Sequence, residues 1–401
     1  MEFILENERN IPVAADFDVA VCGGGIAGIA AAVSAARQNK SVLLIENQFM
    51  LGGLATAGLV TIFLPLCDGE GHQVSFGICE ELIKLSVSMG YEIDIPKHWK
   101  SDASPKERAQ GSRYDCRYNA QVFAILCEKL LLSLGVKILY GSRVCATNLE
   151  DNRIKHIVVE NKSGRVAYRV GAAVDATGDA DLCVVSGVPT VNFSQGNTLA
   201  AWYYYTDAEK YKLNMLGFAD VPDDNGKYSS GEKSLSRRRY SGLDGEELSD
   251  MVIDAHKALF DNFFKGGDLT DTHSLSTIAT IPQVRMTRRI EGEMALDTSH
   301  ERKRFETSIG MVSDWRKRHD IYEVPFEILY NNRVKNLFCA GRCVSVTDAM
   351  WDIIRVIPDC AVTGEAAGIA AALATDDKAD ADGVINVLRK RGVPLHIDEV
   401  L

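Results

Sequence analysis

Several features that would each have set the class of this 401-residue chain are missing from it. There is no C-x-x-C pair. Cys339 and Cys343 have three residues between them, a spacing that suits neither a thioredoxin-like dithiol nor the usual zinc or iron–sulfur ligand patterns. The ten cysteines are otherwise scattered. They read as buried free thiols in a reducing cytoplasm, and no metal site is expected. No run of about 18 uncharged apolar residues occurs, so no membrane span is expected. The opening MEFILENERN is acidic early and lacks the apolar core of a secretory signal. Basic blocks are absent too. The balance of 44 Lys and Arg against 55 Asp and Glu gives a net charge of −11, which argues against nonspecific nucleic-acid binding. The densest positive cluster, SRRRY at Ser236–Tyr240, reads as a solvated loop or helix face. No long repeat or low-complexity tract is present.

What the chain does have is concentrated at Asp18–Gly58. Asp18–Cys22 is rich in β-formers, and Gly23, Gly25 and Gly28 then spell G-x-G-x-x-G. An alanine-rich stretch, Ile26–Gln38, reads as a helix. Ser41–Ile45 is a second apolar run, closed by Glu46. Strand, glycine turn, helix, strand and acid in that order form a dinucleotide-binding βαβ unit. Gly23 permits the tight turn, Gly25 lets a pyrophosphate approach the backbone, and Gly28 lets the helix pack on the sheet. The helix start offers unpaired N–H groups and a positive dipole end to the phosphates. Glu46 stands near the position that accepts ribose hydroxyls. A second glycine turn, MLGGLATAG, follows, and its small residues suit a backbone lying against something large and planar. No second G-x-G-x-x-G follows a strand, so one bound dinucleotide is expected, not two. On the fingerprint alone it can be NAD or FAD.

Further along, Gly77–Met89 and Tyr118–Leu134 carry helical periodicity, and Gly135 stops the second. Between them, 90–113 is polar and reads as a lid or partner surface. Val136–Tyr140 reads as a strand. Ser142–Thr147, Arg153–Glu160 and Arg165–Val170 read as a meander with turns at Asp151–Asn152 and Lys162–Gly164. Ala172–Asp175 leads into Ala176–Thr177–Gly178, a strand ending in small residues. Trp202–Thr206 is strand-like, 220–245 loop-rich, and Glu246–Phe264 helical. Val334–Ala340 reads as the last strand, 344–358 as a loop or short turn, Asp359–Ala374 as a small-residue helix and Asp380–Arg391 as a terminal helix. The length exceeds what one small core needs, so interleaved lobes are expected.

GGGIAG with Glu46, LGGLATAG, DATGDADL at Asp175–Leu182, IPQVRMTRRIEGE at Ile281–Glu293, and the segment Asn336–Leu373 occur in one order. Together they resemble the FAD-dependent oxidoreductase family of the glutathione-reductase-like flavoprotein superfamily, nearer its fumarate reductase and succinate dehydrogenase branch. The resemblance runs nearly end to end and is weakest over 190–275. It implies an α/β fold: a Rossmann-like FAD-binding domain with a central parallel sheet, helices and a small β-meander, plus an inserted α+β substrate or cap domain. The FAD-binding domain would be discontinuous, over 1–60, 115–186 and 332–401, with 61–114 and 187–331 as the cap. The resemblance places Gly23, Gly25 and Gly28 at the FAD pyrophosphate and Glu46 at the adenosine ribose. Gly52, Gly53 and Ala55 fall toward the flavin side, Val144 at the adenine, and Ala176, Thr177 and Gly178 beside the adenosine half. Gly341 falls at the ribityl chain, where many relatives follow with Asp and this chain has Arg342, a phosphate bridge or a structural residue. The helix start near Asp359–Gly364, with Gly364 in its wall, would aim at the flavin pyrimidine edge and stabilise the anion of reduced flavin.

The candidates for chemistry lie in three places. Arg355 can anchor an anion or polarise a carbonyl, or simply pair with Asp352, and Asp348 can act as a base. Arg285, Arg288 and Arg289 can bind a carboxylate or join lobes; on a helix Arg285 shares a face with Arg288 and with Arg289, and on a strand Arg285 and Arg289 share a face while Arg288 points away. His72, in CDGEGHQ, can be a base or a flavin attachment point, or an ordinary surface histidine. The functional expectation is a cytoplasmic FAD-dependent oxidoreductase, a dehydrogenase or reductase, moving a hydride between a small polar organic substrate and flavin. NAD(P)H or a redox partner would serve as electron donor. Alternatives are an FAD-bound electron-transfer subunit, a noncatalytic flavin-binding protein and a nicotinamide-only dehydrogenase.

Overall fold

A computed structural model describes residues 2–6, 8–89, 104, 106–107, 116–218 and 234–401. The stretch 90–113, apart from 104, 106 and 107, and the stretch 219–233 lie outside the described residues.

One seven-stranded sheet organises the molecule. Its strands are β1 (Val13–Cys22), β2 (Val42–Ile45), β3 (Lys137–Leu139), β4 (Arg143–Glu150), β5 (Arg153–Asn161), β6 (Gly164–Asp175) and β7 (Leu337–Cys339). The order is β3-β2-β1-β6-β5-β4, and β7 also pairs with β6. β6 is long enough to divide its free edge. Its first half pairs antiparallel with β5, and Ala173–Asp175 pair parallel with Leu337–Cys339. Where β1 and β2 pair, Val19–Cys22 and Val42–Ile45 are buried throughout, as parallel strands covered on both faces must be.

The crossover from β1 to β2 is helix α1 (Ile26–Ala36), buried from Ile26 to Ala35. It needs no polar stripe because the sheet covers one side and helix α2 (Ile357–Ala374) covers the other. Small residues make this crossing possible. A side chain at Gly364 would collide with the Ala27 carbonyl, and one at Gly368 with the Ala31 carbonyl. Ser34 Oγ donates to the Glu365 carbonyl at 2.8 Å. By length and composition α2 is the one helix among the described residues apolar enough to cross a membrane, and it is buried in the core. It begins at Ile357, two residues before the expected start. Pro358 stands in its first turn, where a missing N–H removes no helix bond.

The segment 344–358, expected as loop or turn, contains a helix, Asp348–Ile354. Thr347 Oγ1 caps it by accepting from Met350 N, and burial of Met350, Trp351, Ile353 and Ile354 holds it. The middle of the chain divides. Strands Tyr203–Asp207, Lys210–Asn214 and His273–Ile278 with helix Gly245–Phe263 form a small core around Tyr203, Leu259 and Phe263. The hairpin Ser308–Ser313 with Ile321–Pro325 instead joins the main core against α2, as does helix Ile78–Val87.

Because Gly364 is required by a helix crossing, Gly364→Ala should destabilise even flavin-free protein by about 1–3 kcal/mol. An unchanged urea midpoint would show that the crossing relaxes without cost.

Candidate functional site

The site begins where three parallel strands stop at one level. Cys22 lies opposite Asp175, and Asp175 opposite Cys339. Ladder bonds carry the register one residue further. Gly23 N donates to Ile45 O at 2.8 Å, Ala176 N to Cys22 O at 2.8 Å, and Ala340 N to Asp175 O at 2.9 Å. Gly23, Ala176–Gly178 and Gly341–Arg342 therefore leave the sheet side by side, and a cleft opens outside the carboxyl ends of the strands. The second glycine turn is laid onto the first: Gly52 N donates to Gly24 O at 2.8 Å, and Gly52 bridges Gly25.

The glycines of the fingerprint serve different ends. Gly23 has φ +107° and faces the Ala176 carbonyl, and a side chain on Gly28 would strike the Gly23 carbonyl. Gly25 has an ordinary φ of −69°, and among the described residues nothing beyond its own chain neighbours lies within 4 Å of where a Cβ would stand. Neither backbone conformation nor packing calls for glycine there. It lines the cleft and caps α1 without a side-chain bond, so the helix N–H groups face the open space. This is the arrangement a bound pyrophosphate needs.

Glu46 is buried in the cleft wall. Its Oε2 accepts from Gly24 N and its Oε1 from Gln48 N, both at 2.6 Å. Burial pushes its carboxyl above the ordinary range against the pull of those backbone donors. A carboxylate has about four acceptor positions, so capacity remains for a ribose hydroxyl. All the expected cofactor residues line the cleft except Gly28 and Gly364, which are used in packing. Gly178 has φ +85°, and a side chain there would collide with the Arg342 guanidinium. Arg342 donates to the Arg285 carbonyl at 3.1 Å and lies 3.5 Å from Asp179, while Trp351 Nε1 donates to the Arg342 carbonyl at 2.8 Å. It is thus a fixed cation in the wall.

At the far end Arg355, Ile357 and Cys360 line the cleft. Arg355 is nearly buried and held by Asp352, with its Nε at 2.9 Å from Asp352 Oδ1 and its guanidinium over the Trp315 ring. Asp352 also accepts from Arg316 at 2.8 Å, and Arg316 in turn holds the buried Asp314. Burial alone would raise the Asp352 pKa; Arg355 and Arg316 outweigh it and hold the carboxylate ionised. In the first turn of α2, burial pushes the Asp359 carboxyl well up, with the charge of Asp314 adding to it. Burial thus disfavours the charge on Asp359 that would offset the positive end of α2 beside the cleft.

Other candidates lie elsewhere. Asp348 is outside the cleft wall, accepting from Ser194 N and Oγ and lying 3.4 Å from Arg289. His72 is about half exposed, also outside the wall, and bonded through Nδ1 to Asp68 at 2.9 Å. The three arginines do not converge. Arg285 is buried over the Trp202 ring, Arg288 pairs with Asp181 at 2.7 Å, and Arg289 sits over Trp351 and bonds the Val346 carbonyl. Arg288 and Arg289 lie on a strand, Arg288–Ile290, paired with Thr190–Asn192. Sequence reading missed Leu248, Ile281, Pro282 and Val284, which bring the middle of the chain into the cleft wall, and Cys360, whose thiol burial pushes up to about 12. Only IPQV had a signal, as part of the motif beginning at Ile281.

Gly25→Val tests the cleft directly. It should cost flavin-free protein no more than about 1 kcal/mol, the scale of a lost N-cap preference, yet yield colourless protein. Full flavin absorbance in that variant would place the pyrophosphate elsewhere.

The family described as FAD dependent oxidoreductase matches residues 18–211 and 209–390. A thioredoxin reductase of Ureaplasma parvum is 34% identical over 76 residues, 19% of this chain and 25% of that protein's length. Among solved structures, the Sdh1 complex of Mycobacterium smegmatis is 13% identical with a TM-score of 0.47, over 94% of this chain and 72% of that one. A geranylgeranyl bacteriochlorophyll reductase-like protein of Thermoplasma acidophilum is 14% identical with a TM-score of 0.45, over 94% and 84%. The match along nearly the whole chain carries the conclusion that the glycine cleft had prepared: this protein belongs to the FAD dependent oxidoreductase family and uses FAD.

Proposed function

We propose that the protein transfers a hydride between a small polar organic substrate and FAD, in the cytoplasm, with NAD(P)H or a redox partner completing the electron cycle. The observation that carries this reading is Arg355, a nearly buried guanidinium fixed in the cleft wall next to the start of α2. FAD, when bound, supplies the two-electron chemistry. Gly23, Gly25 and the N-terminus of α1 would hold the pyrophosphate, Glu46 the ribose, Val144 the adenine, and Ala176–Gly178 the adenosine half. Gly52, Gly53, Ala55 and Gly341 would border the rest of the cofactor.

In this reading Arg355 binds an anionic or carbonyl group of the substrate. Asp352 and Arg316 fix its planar fork, so little side-chain freedom remains to be lost when substrate binds. The positive end of α2 favours negative charge at the same end of the cleft. We assign the block 187–331 the shaping of the substrate pocket, because Leu248, Ile281, Pro282 and Val284 reach the cleft wall. Asp348 and His72, engaged with Ser194 and Asp68, are assigned positioning rather than proton transfer.

Anaerobic mixing of the yellow protein with hydroxy acids, sugars and amines should bleach the flavin with one of these classes. Bleaching by NADPH alone would make the working direction reductive. Copurification of an iron–sulfur partner, with no bleaching by any small molecule, would favour an electron-transfer subunit instead. Arg355→Lys keeps the charge but not the fork. It should retain FAD and slow flavin reduction by the substrate by roughly 10–150-fold, the worth of a charge-assisted hydrogen bond of about 1.5–3 kcal/mol. An unchanged rate would remove Arg355 from the substrate site.

A further inference from the structure

On the sheet face opposite α1, directly behind the strand ends that form the cleft, three potential ligands converge and a fourth, Cys343, stands beside one of them. Asp175 ends β6, Cys339 ends β7, Cys183 lies on the short helix Asp181–Val185, and Cys343 lies in the turn Gly341–Cys343. All four are fully buried. One donor atom from each of Asp175, Cys183 and Cys339 lies within 4.8 Å of the other two. Cys183 Sγ is 3.2 Å from Cys339 Sγ, and Cys343 Sγ is 3.8 Å from Asp175 Oδ1. The cleft residues described above make no use of these side chains.

We propose that Asp175, Cys183, Cys339 and Cys343 form a structural site for a zinc-class divalent metal ion. Three sulfurs and one carboxylate are a soft, four-donor set of the kind that closes around zinc. Bonds of about 2.3 Å to sulfur and about 2.0 Å to oxygen put two tetrahedral sulfurs roughly 3.8 Å apart and a sulfur roughly 3.5 Å from the oxygen. The Cys183–Cys339 pair at 3.2 Å therefore has to part by roughly half an ångström, and Cys343, at 3.8 Å from Asp175 Oδ1 and outside the trio whose donors lie within 4.8 Å of one another, has to move toward it. A disulfide would need the Cys183 and Cys339 sulfurs to close to about 2.05 Å, a larger movement.

The outer shell also fits. Asp175 Oδ1 accepts from Thr177 N at 3.1 Å and Thr177 Oγ1 at 2.7 Å, Oδ2 accepts from Cys183 N at 2.9 Å, and Ala180 N donates to Cys343 Sγ at 3.3 Å. Such donors orient the ligands and offset the negative charge the site gains when each ligating thiol gives its proton to solvent. Arg288 and Arg342 flank the cluster through Asp181 and Asp179. With every ligand at zero exposure, the ion enters as the chain folds and has no open position for substrate. Its effect would be to pin β6, β7 and the Thr177–Asp181 turn together beneath the cofactor. The spacing of Cys339 and Cys343 could not announce this, because the third sulfur stands 156 residues before Cys339.

Elemental analysis of the untagged flavoprotein, expressed with zinc and purified with thiol reductant, should find about one zinc per chain. Cys339→Ser and Cys343→Ser should lose it, and Cys145→Ser, a half-buried thiol outside the cluster, should keep it. If the cluster variants do not fold, wild-type protein expressed with cobalt provides the second readout. Tetrahedral cobalt–thiolate bands should then appear at wavelengths beyond the flavin absorption. Zinc below roughly a tenth of an equivalent, with no cobalt bands and all ten thiols free after denaturation, would overturn the proposal. So would a Cys183–Cys339 disulfide found by peptide mapping.

Discussion

Everything at this site depends on three parallel strands ending at the same level. Once Cys22, Asp175 and Cys339 are in register, the chain must leave the sheet at Gly23, Ala176 and Ala340, and a crevice opens between the departing loops. A slip in any one strand would exchange the side chains on its two buried faces and move its loop away from the others. The helices add to this without creating it. α1 and α2 cross through glycine and alanine, and both present their N-termini to the same cleft. The positive ends that would meet an anionic cofactor therefore follow from the packing of the core.

The two kinds of glycine separate structural need from functional need. Gly23, Gly28, Gly178 and Gly364 are each surrounded by atoms that a side chain would strike. Among the described residues nothing beyond its chain neighbours stands where a side chain on Gly25 would go, and of these five glycines it is the one whose packing does not require it. Such a position points to a ligand more directly than a motif does, because the motif cannot say which of its glycines the fold already requires.

That distinction also marks what the sequence could reveal. The first βαβ unit and the meander were legible, since they rest on local periodicity and on spacing within one turn, whereas most of the residues that line the cleft were pointed to by the family resemblance. Gly364 was read as a cofactor residue because a small-residue helix looks the same whether it approaches a ligand or another helix. The helix Asp348–Ile354 was hidden by its length of two turns and by a cap, Thr347, inside an unpatterned segment. Asp348, His72 and the three arginines had suitable chemistry, but their partners lie far along the chain or on other elements, so spacing gave no clue to where they point. Arg355 was visible as a candidate. The Arg316 and Asp314 that complete its ion-pair chain lie about 40 residues before it and carry no motif.

A single FAD in the cleft is the central proposal. Titrating flavin-free protein with FAD, in the presence and absence of NAD, measures this most directly. Saturation at one FAD per chain, with NAD unable to displace it, is the predicted result. Equal competition by NAD, or saturation at two flavins per chain, would contradict it.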